Sequence, residues 1–172
     1  VNCACASRIA LLDDAKLSTA IHHAVSSTLL VSATTPLGVM WRHPLMRDAV
    51  RDLLLPLEQQ TLARRAADHL VNRTTEPSEG QLRQAAEMYE LAGYPDRAAR
   101  ELIRAARAAV RGAALDVAEQ HLAAAHALTG TLPGAALDVL IERIDTLTLA
   151  GRAADGYHSG IAALQSSAAG DT

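Results

Sequence analysis

The cysteines and one pair of histidines are the first residues in this sequence that could do chemistry. Cys3 and Cys5 are the two cysteines of the chain. His22 and His23 are adjacent, so four possible zinc ligands are present. The spacing matches no known zinc finger, and neighbouring side chains on a helix point about 100° apart, so both histidines rarely reach one ion. We therefore predict no metal site, and two cysteines so close together are typical of a reduced, cytoplasmic protein.

The remaining titratable residues form no recognisable catalytic group. His121 and His126 are five positions apart, which does not place them on one helical face as a pair of ligands. Glu87 and Glu90 have no neighbour in sequence that would tune one as an acid and the other as a base. The motifs GxxxxGK[ST], GxSxG, HExxH and CxxC are absent from the sequence. These observations predict a chain that is not an enzyme and carries no cofactor of its own.

The clearest chemical signal is a corner formed by residues 39–50. A short extended run ends at His43, and Pro44 suits the first position of a helix because its missing N–H would be unpaired there anyway. His43 would thus lie beside a helix N-terminus, a place that favours bound anions such as phosphate. Two roles stay open: His43 binds an anion, or it only caps the helix or packs under Trp41.

The elements around this corner predict a small winged-helix subdomain. Two stretches of helical periodicity precede the corner, and Ser18 or Asp14 could cap the second of them. A β-branched run and turn residues lie between these helices and the corner. Leu45, Ala49 and Leu53 then recur at the helical spacing i, i+4, i+8. The predicted order is helix 7–15, helix 17–27, strand 29–33, turn 34–38, strand 39–41 and helix 45–54.

The remainder of the chain predicts antiparallel helical repeats of the tetratricopeptide type. After a helix over 57–71 and a polar loop over 72–80, helical stretches alternate with glycines that we expect to be left-handed C-caps. The interval from Gly93 to Gly130 is close to the ~34-residue period of such repeats. The domain boundary is predicted near Pro56, giving domains 1–56 and 57–172. The predicted repeat helices are 82–92, 96–110, 115–128, 135–150 and 153–164.

Composition supports a mainly α fold. Hydrophobic residues make up 49% of the chain, yet there is no Phe, one Trp and three Tyr, which suits close-packed Ala/Leu helices better than a β-sandwich. A net charge of −3 provides no general attraction for nucleic acid. No segment has the ~20 apolar residues that cross a membrane, and the start resembles no signal peptide. We expect an internal piece of a longer cytoplasmic protein with no membrane partner.

Two sequence runs resemble a known family. Residues 41–50 (WRHPLMRDAV), followed by 64–70 (RRAADHL), resemble a run in large bacterial LuxR-type transcriptional regulators with the MalT-like plan, which are signal-transduction ATPases. Residues 85–93 (AAEMYELAG) and 104–113 look like the helices that begin the repeats of that family. The resemblance extends over about residues 7–130.

The resemblance implies the parts that surround this segment in a parent protein. In that family an ATPase module precedes the winged helix, a helical-repeat sensor follows it, and a C-terminal helix-turn-helix binds DNA. It implies ATP or ADP on the parent's ATPase module, DNA contact only through that missing C-terminal part, and a protein or small-molecule effector on the repeats. A winged-helix histidine in related ATPases contacts the phosphate of ADP and holds the off state, and His43 matches that position.

These inferences predict a regulatory segment that couples nucleotide state to an effector-sensing repeat domain. His43 and Arg42 are the predicted nucleotide-sensing residues, and the junction residues are Trp41, Pro44 and Arg47. One alternative is a stand-alone helical-repeat adaptor for protein interactions. The other is a winged-helix DNA-binding protein, although the helix over 17–27 has no Lys or Arg to contact DNA.

Overall fold

A computed structural model describes residues 10, 13–34, 39–129 and 133–169. The chain is mainly helical, with 77% helix, and its described residues form eight helices and one two-stranded antiparallel hairpin. This confirms the predicted helical class and the hairpin, whereas the winged-helix and tetratricopeptide-like arrangements stay predictions. Contacts divide the chain into two compact units, residues 1–69 and 70–172. The domain boundary near Pro56 stays a prediction as well.

The first unit contains the hairpin. Its strands pair Leu30 with Trp41 and Ser32 with Val39. The helix before the hairpin contacts the first strand, and the helix after it contacts the second. A lone two-stranded hairpin is marginal in water, so these helix contacts hold it in place. The elements are α1 (Asp14–Ser26), β1 (Leu30–Ser32), β2 (Val39–Trp41), α2 (Pro44–Asp52) and α3 (Pro56–Asn72), which extends past the unit boundary.

Two helix starts in this unit differ from the prediction. Asp13 caps α1, because its carboxylate accepts the Lys16 N–H at 2.7 Å, so the predicted caps Ser18 and Asp14 are wrong. Pro56 begins α3, one residue before the predicted start at 57, as the fixed φ of proline allows at a first helical position. The predicted helix 7–15 and turn 34–38 lie mostly outside the described residues.

The second unit is a succession of helices in which each packs on the next and the second also contacts the fourth. Ser78 and Gln81 form a capping box at the first of them, in which each side chain accepts a hydrogen bond from the other's backbone N–H. Linkers of three residues separate most of these helices, which places neighbours antiparallel. The helices are α4 (Glu79–Leu91), α5 (Pro95–Arg111), α6 (Leu115–Thr129), α7 (Pro133–Leu149) and α8 (Ala153–Ala169).

Alanine dominates the core of the second unit. Ala98, Ala105 and Ala118 are completely buried, and Leu122 and Leu147 are the largest of the fully buried side chains. Small side chains allow helix backbones to approach closely, so dense packing is reached without phenylalanine. No helix among the described residues has the length and the apolar character needed to cross a bilayer.

The helix ends agree only in part with the predicted glycine caps. Gly93 and Gly151 adopt the expected left-handed conformation, with φ of +79° and +75°. Gly112 does not, since its φ is −85° and its N–H still donates to Ala108 O as in a helix. The left-handed residue there is Ala113, at φ 57°, because α5 continues one residue further than predicted. Gly130 lies outside the described residues.

Candidate functional site

The His43 side chain caps α2. Its backbone is extended, with φ −141° and ψ 137°, Pro44 follows in the first turn, and Nδ1 accepts the Leu45 N–H at 3.2 Å. Since Nδ1 is an acceptor, the neutral ring carries its proton on Nε2. His43 is exposed, and no described residue bonds to Nε2. The capping role is therefore present in the structure, and Nε2–H is left as a donor beside a helix N-terminus.

Arg42 holds the strand before this cap. Its backbone N–H donates to Leu29 O at 3.0 Å, and its Nε donates to Thr28 O at 2.9 Å. Thr28 is left-handed, with φ 59°, which a β-branched residue rarely adopts. Arg42 thus fixes β2 to the turn that follows α1. The other two guanidinium nitrogens have no partner among the described residues, so they can also meet an anion.

The three junction residues have structural contacts of their own. Trp41 is half-buried in β2 opposite Leu30, and Pro44 occupies the first turn of α2. Arg47 is exposed and pairs with the adjacent carboxylate of Asp48 at 3.0 Å. An exposed pair of this kind contributes little to stability. Of the five predicted site residues, His43 and Arg42 both keep donor atoms without a described partner near the start of α2.

An apolar stripe on α2 faces solvent. Leu45 is 68% exposed and Leu53 is 82% exposed, with exposed Ala49 between them. Met46 and Val50 are half-buried on the adjacent face. The recurrence at i, i+4, i+8 in the sequence therefore describes an outward stripe, and the neighbouring stripe is the one that packs.

A cleft between helices is the second candidate site, and it lies entirely within residues 70–172. Its volume is about 360 Å³, and Leu102 of α5 contributes to its lining. Arg83 and Glu87 form an ion pair on α4, while the carboxylate of Glu90 on the same helix has no partner among the described residues. Small residues of α6, among them Ala124, line the opposite wall, so the cleft combines an apolar surface with an acidic edge.

A buried histidine lies in the wall of this cleft. His121 is 6% exposed, and its Nε2 is 2.6 Å from Oε1 of Glu79, at the start of α4. The sequence analysis considered His121 only beside His126 and missed Glu79, which is 42 residues away. No local signal reveals a contact between two helices that are not consecutive. Among the described residues no three His, Cys, Asp or Glu side chains come together as metal ligands.

Glu101 on α5 is the one buried carboxylate among the described residues. Burial raises its pKa from the ordinary value, and the Arg104 guanidinium, 2.6 Å away, acts in the opposite direction. The folded state therefore binds a proton at Glu101 more readily than the unfolded chain does. This carboxylate consequently favours folding most at acidic pH, and that contribution is lost as pH rises above the ordinary glutamate pKa.

Glu101→Gln should remove this pH dependence. The wild-type free energy of unfolding should decline, relative to that of the variant, as pH rises from about 4 towards neutrality, because only the wild type must ionise a buried group. Urea denaturation of both proteins at several pH values measures the difference. Parallel stability curves across this range would show that Glu101 ionises as easily in the folded chain as in the unfolded one.

In comparisons with protein-family models, with curated proteins and with solved structures, no match to this chain was found. The functional interpretation therefore depends on the geometry of the two candidate sites and on the resemblance of residues 41–50 and 64–70.

Proposed function

We propose that this chain is a non-catalytic regulatory segment of a LuxR-type transcriptional regulator. In this proposal the corner at His43 senses the nucleotide on the parent's ATPase module, and the helical unit 70–172 binds an effector. The observation that carries the proposal is that the two ring nitrogens of His43 have different roles. Nδ1 is occupied by the Leu45 N–H, which orients the ring and leaves Nε2–H as a donor for an outside group.

Three features of the corner support phosphate as that outside group. The start of α2 carries the positive end of the helix dipole, which attracts anions. Nε2 of His43 and the Nη atoms of Arg42 are donors without described partners. The hydrogen bonds from Arg42 to Thr28 and Leu29 hold the strand, so a phosphate would meet a corner that is already ordered. The ATP or ADP itself would belong to the parent's ATPase module.

The cleft that contains His121 supports an effector site on the second unit. Its volume is at the lower end of the range for ligand pockets, about 300–1,000 Å³. Its walls come from α4 and α6, with α5 beneath, so a protein segment or a small molecule could reach it from solvent. The regulator acts in the cytoplasm in this proposal and contacts DNA only through a C-terminal helix-turn-helix of the parent.

A matched pair of substitutions tests this function in the source organism. Ala124→Arg places a long cation in the cleft, whereas Ala123→Arg makes the same change at an exposed neighbour outside the lining. Transcripts are sequenced for the native strain, a gene deletion and both variants. We expect the deletion to change a defined set of transcripts, Ala124→Arg to reproduce that change, and Ala123→Arg to leave it unaltered.

Two other outcomes contradict parts of the proposal. A deletion that changes no transcript would reject the regulator and would favour the stand-alone helical adaptor. A deletion with an effect that neither arginine variant reproduces would keep the regulator and reject the cleft as its effector site.

A further inference from the structure

Arg143 occupies an unusual position, because it lies on the packed face of α7. The residues one turn away on the same face are buried: Val139 is 0% exposed, Thr146 is 4% exposed and Leu147 is 1% exposed. Charged residues of a packed helix normally lie on the opposite face, as Asp138 and Asp145 do here. The cation of Arg143 is therefore placed where the fold would be expected to use an apolar side chain.

One nitrogen of the Arg143 guanidinium also lacks a hydrogen-bond partner. Its Nε is buried and has no hydrogen-bond partner, and Arg143 forms no ion pair with any described residue. Other arginines of this unit do find acceptors across helices: Arg107 Nε donates to Glu142 at 2.9 Å, and Arg152 pairs with Glu119 at 2.6 Å. A buried donor without an acceptor costs free energy, so a bound group that accepts a hydrogen bond from this guanidinium would stabilise the fold.

A cleft of about 310 Å³ adjoins this guanidinium. Val139 and Leu140 of α7 and Ala162 of α8 provide apolar walls. Ser159 also lines the cleft, but its hydroxyl donates to Asp155 O at 2.9 Å, so its proton is already used. Two basic side chains line this cavity, those of His126 and Arg143. His126 already has a contact of its own, whereas Arg143 has no ion-pair partner among the described residues.

We infer that this cleft binds a small organic acid. A carboxylate would accept hydrogen bonds from the planar guanidinium of Arg143, which matches carboxylate geometry with two parallel donors. A short apolar body would lie against Val139, Leu140 and Ala162. The cavity volume of about 310 Å³ lies at the lower end of the range for ligand pockets, so it can hold a small aliphatic acid and is too small for a large ligand. The inference is independent of the proposed function, since it needs neither the His43 corner nor the cleft at His121.

Titration of the full 172-residue chain with straight-chain acids from acetate to hexanoate tests this inference. Binding heats and Tm are recorded at constant ionic strength, with chloride as the salt control and butyramide as the uncharged analogue of butyrate. We expect saturable heat and a Tm increase of several degrees for an acid of intermediate length, and neither for chloride or butyramide. Inorganic phosphate is titrated separately.

Three variants locate the binding. Arg143→Met should fold, because an apolar side chain suits this packed face, and should lose both the heat and the Tm increase. Arg143→Lys keeps the charge but loses the planar donor pair, so we expect affinity to fall about tenfold or more. Arg111→Met, at an exposed position at the end of α5, is the matched control and should bind as the wild type does.

Several results would overturn the inference. They are the absence of binding by every acid, an equal Tm increase in Arg143→Met, and an equal effect of chloride or butyramide. Binding of phosphate without any carboxylate would overturn the assignment to an organic acid. Binding only by a peptide that carries a glutamate side chain, and not by the free acids, would likewise show that the acid is not a small molecule.

Discussion

Replacing His43 with alanine is expected to lower the free energy of unfolding of the unit 1–69 by about 1 kcal/mol, since loss of an N-cap side chain costs about that much. The Leu45 N–H at the start of α2 would lose its acceptor, which is now 3.2 Å away. Under the proposed function, the same change in the parent regulator should weaken retention of ADP by at least about tenfold, as loss of one hydrogen bond to a charged group implies. Urea denaturation and a nucleotide filter-binding assay measure the two effects.

His43→Asn separates the two roles. Asparagine is a strong N-cap residue, so the stability of α2 should return to that of the wild type. Its side chain is shorter and has no atom at the position of Nε2, so nucleotide retention should stay low. His22→Ala, at an exposed position on α1, is a histidine control that should change neither measurement. Unchanged ADP retention in His43→Ala would reject nucleotide sensing and leave only the cap.

Leu122→Ala is expected to cost about 3 kcal/mol of stability, because deletion of a fully buried leucine loses its burial and leaves a cavity. Leu122 is 0% exposed in the middle of α6, and its neighbours on the helix include the completely buried Ala118 and Ala125. Alanines cannot extend into a cavity, so little relaxation is available around it. Urea denaturation of the chain measures the loss.

Leu149→Ala is the matched control for this prediction. Leu149 is the last residue of α7 and is 64% exposed, so the same change should alter stability by less than about 0.5 kcal/mol. Equal losses in the two variants would contradict the burial of Leu122 in the core of this unit. A loss confined to Leu122→Ala would support that burial, and the transition should stay cooperative because α6 packs on both α5 and α7.

Several elements could be predicted from local signals alone. Pro44 after an extended run indicated the start of α2, and the structure begins that helix at this residue. Gly93 and Gly151 indicated helix ends, because few other residues adopt positive φ without strain. The strand Val39–Trp41 followed from its apolar, extended run. Each of these signals acts over a few residues of backbone, so the sequence contains it directly.

The same local reasoning was insufficient where two signals compete. Gly112 precedes the actual left-handed residue, Ala113, because α5 gains one more hydrogen bond by continuing. The capping box of Ser78 and Gln81 was present in the sequence and could have placed the start of α4 before the predicted residue 82.

By itself the sequence determined that the chain is helical, where most helices begin and end, and that His43 adjoins a helix start. Only the tertiary structure decided which face of each helix is buried, since alanine-rich helices have apolar residues on several faces. The pairing of His121 with Glu79, the burial of Glu101 and the isolation of Arg143 all depend on that choice. Periodicity indicates which residues share a face of a helix. The neighbouring helix determines whether a charged side chain on that face contacts a partner, solvent or a cleft.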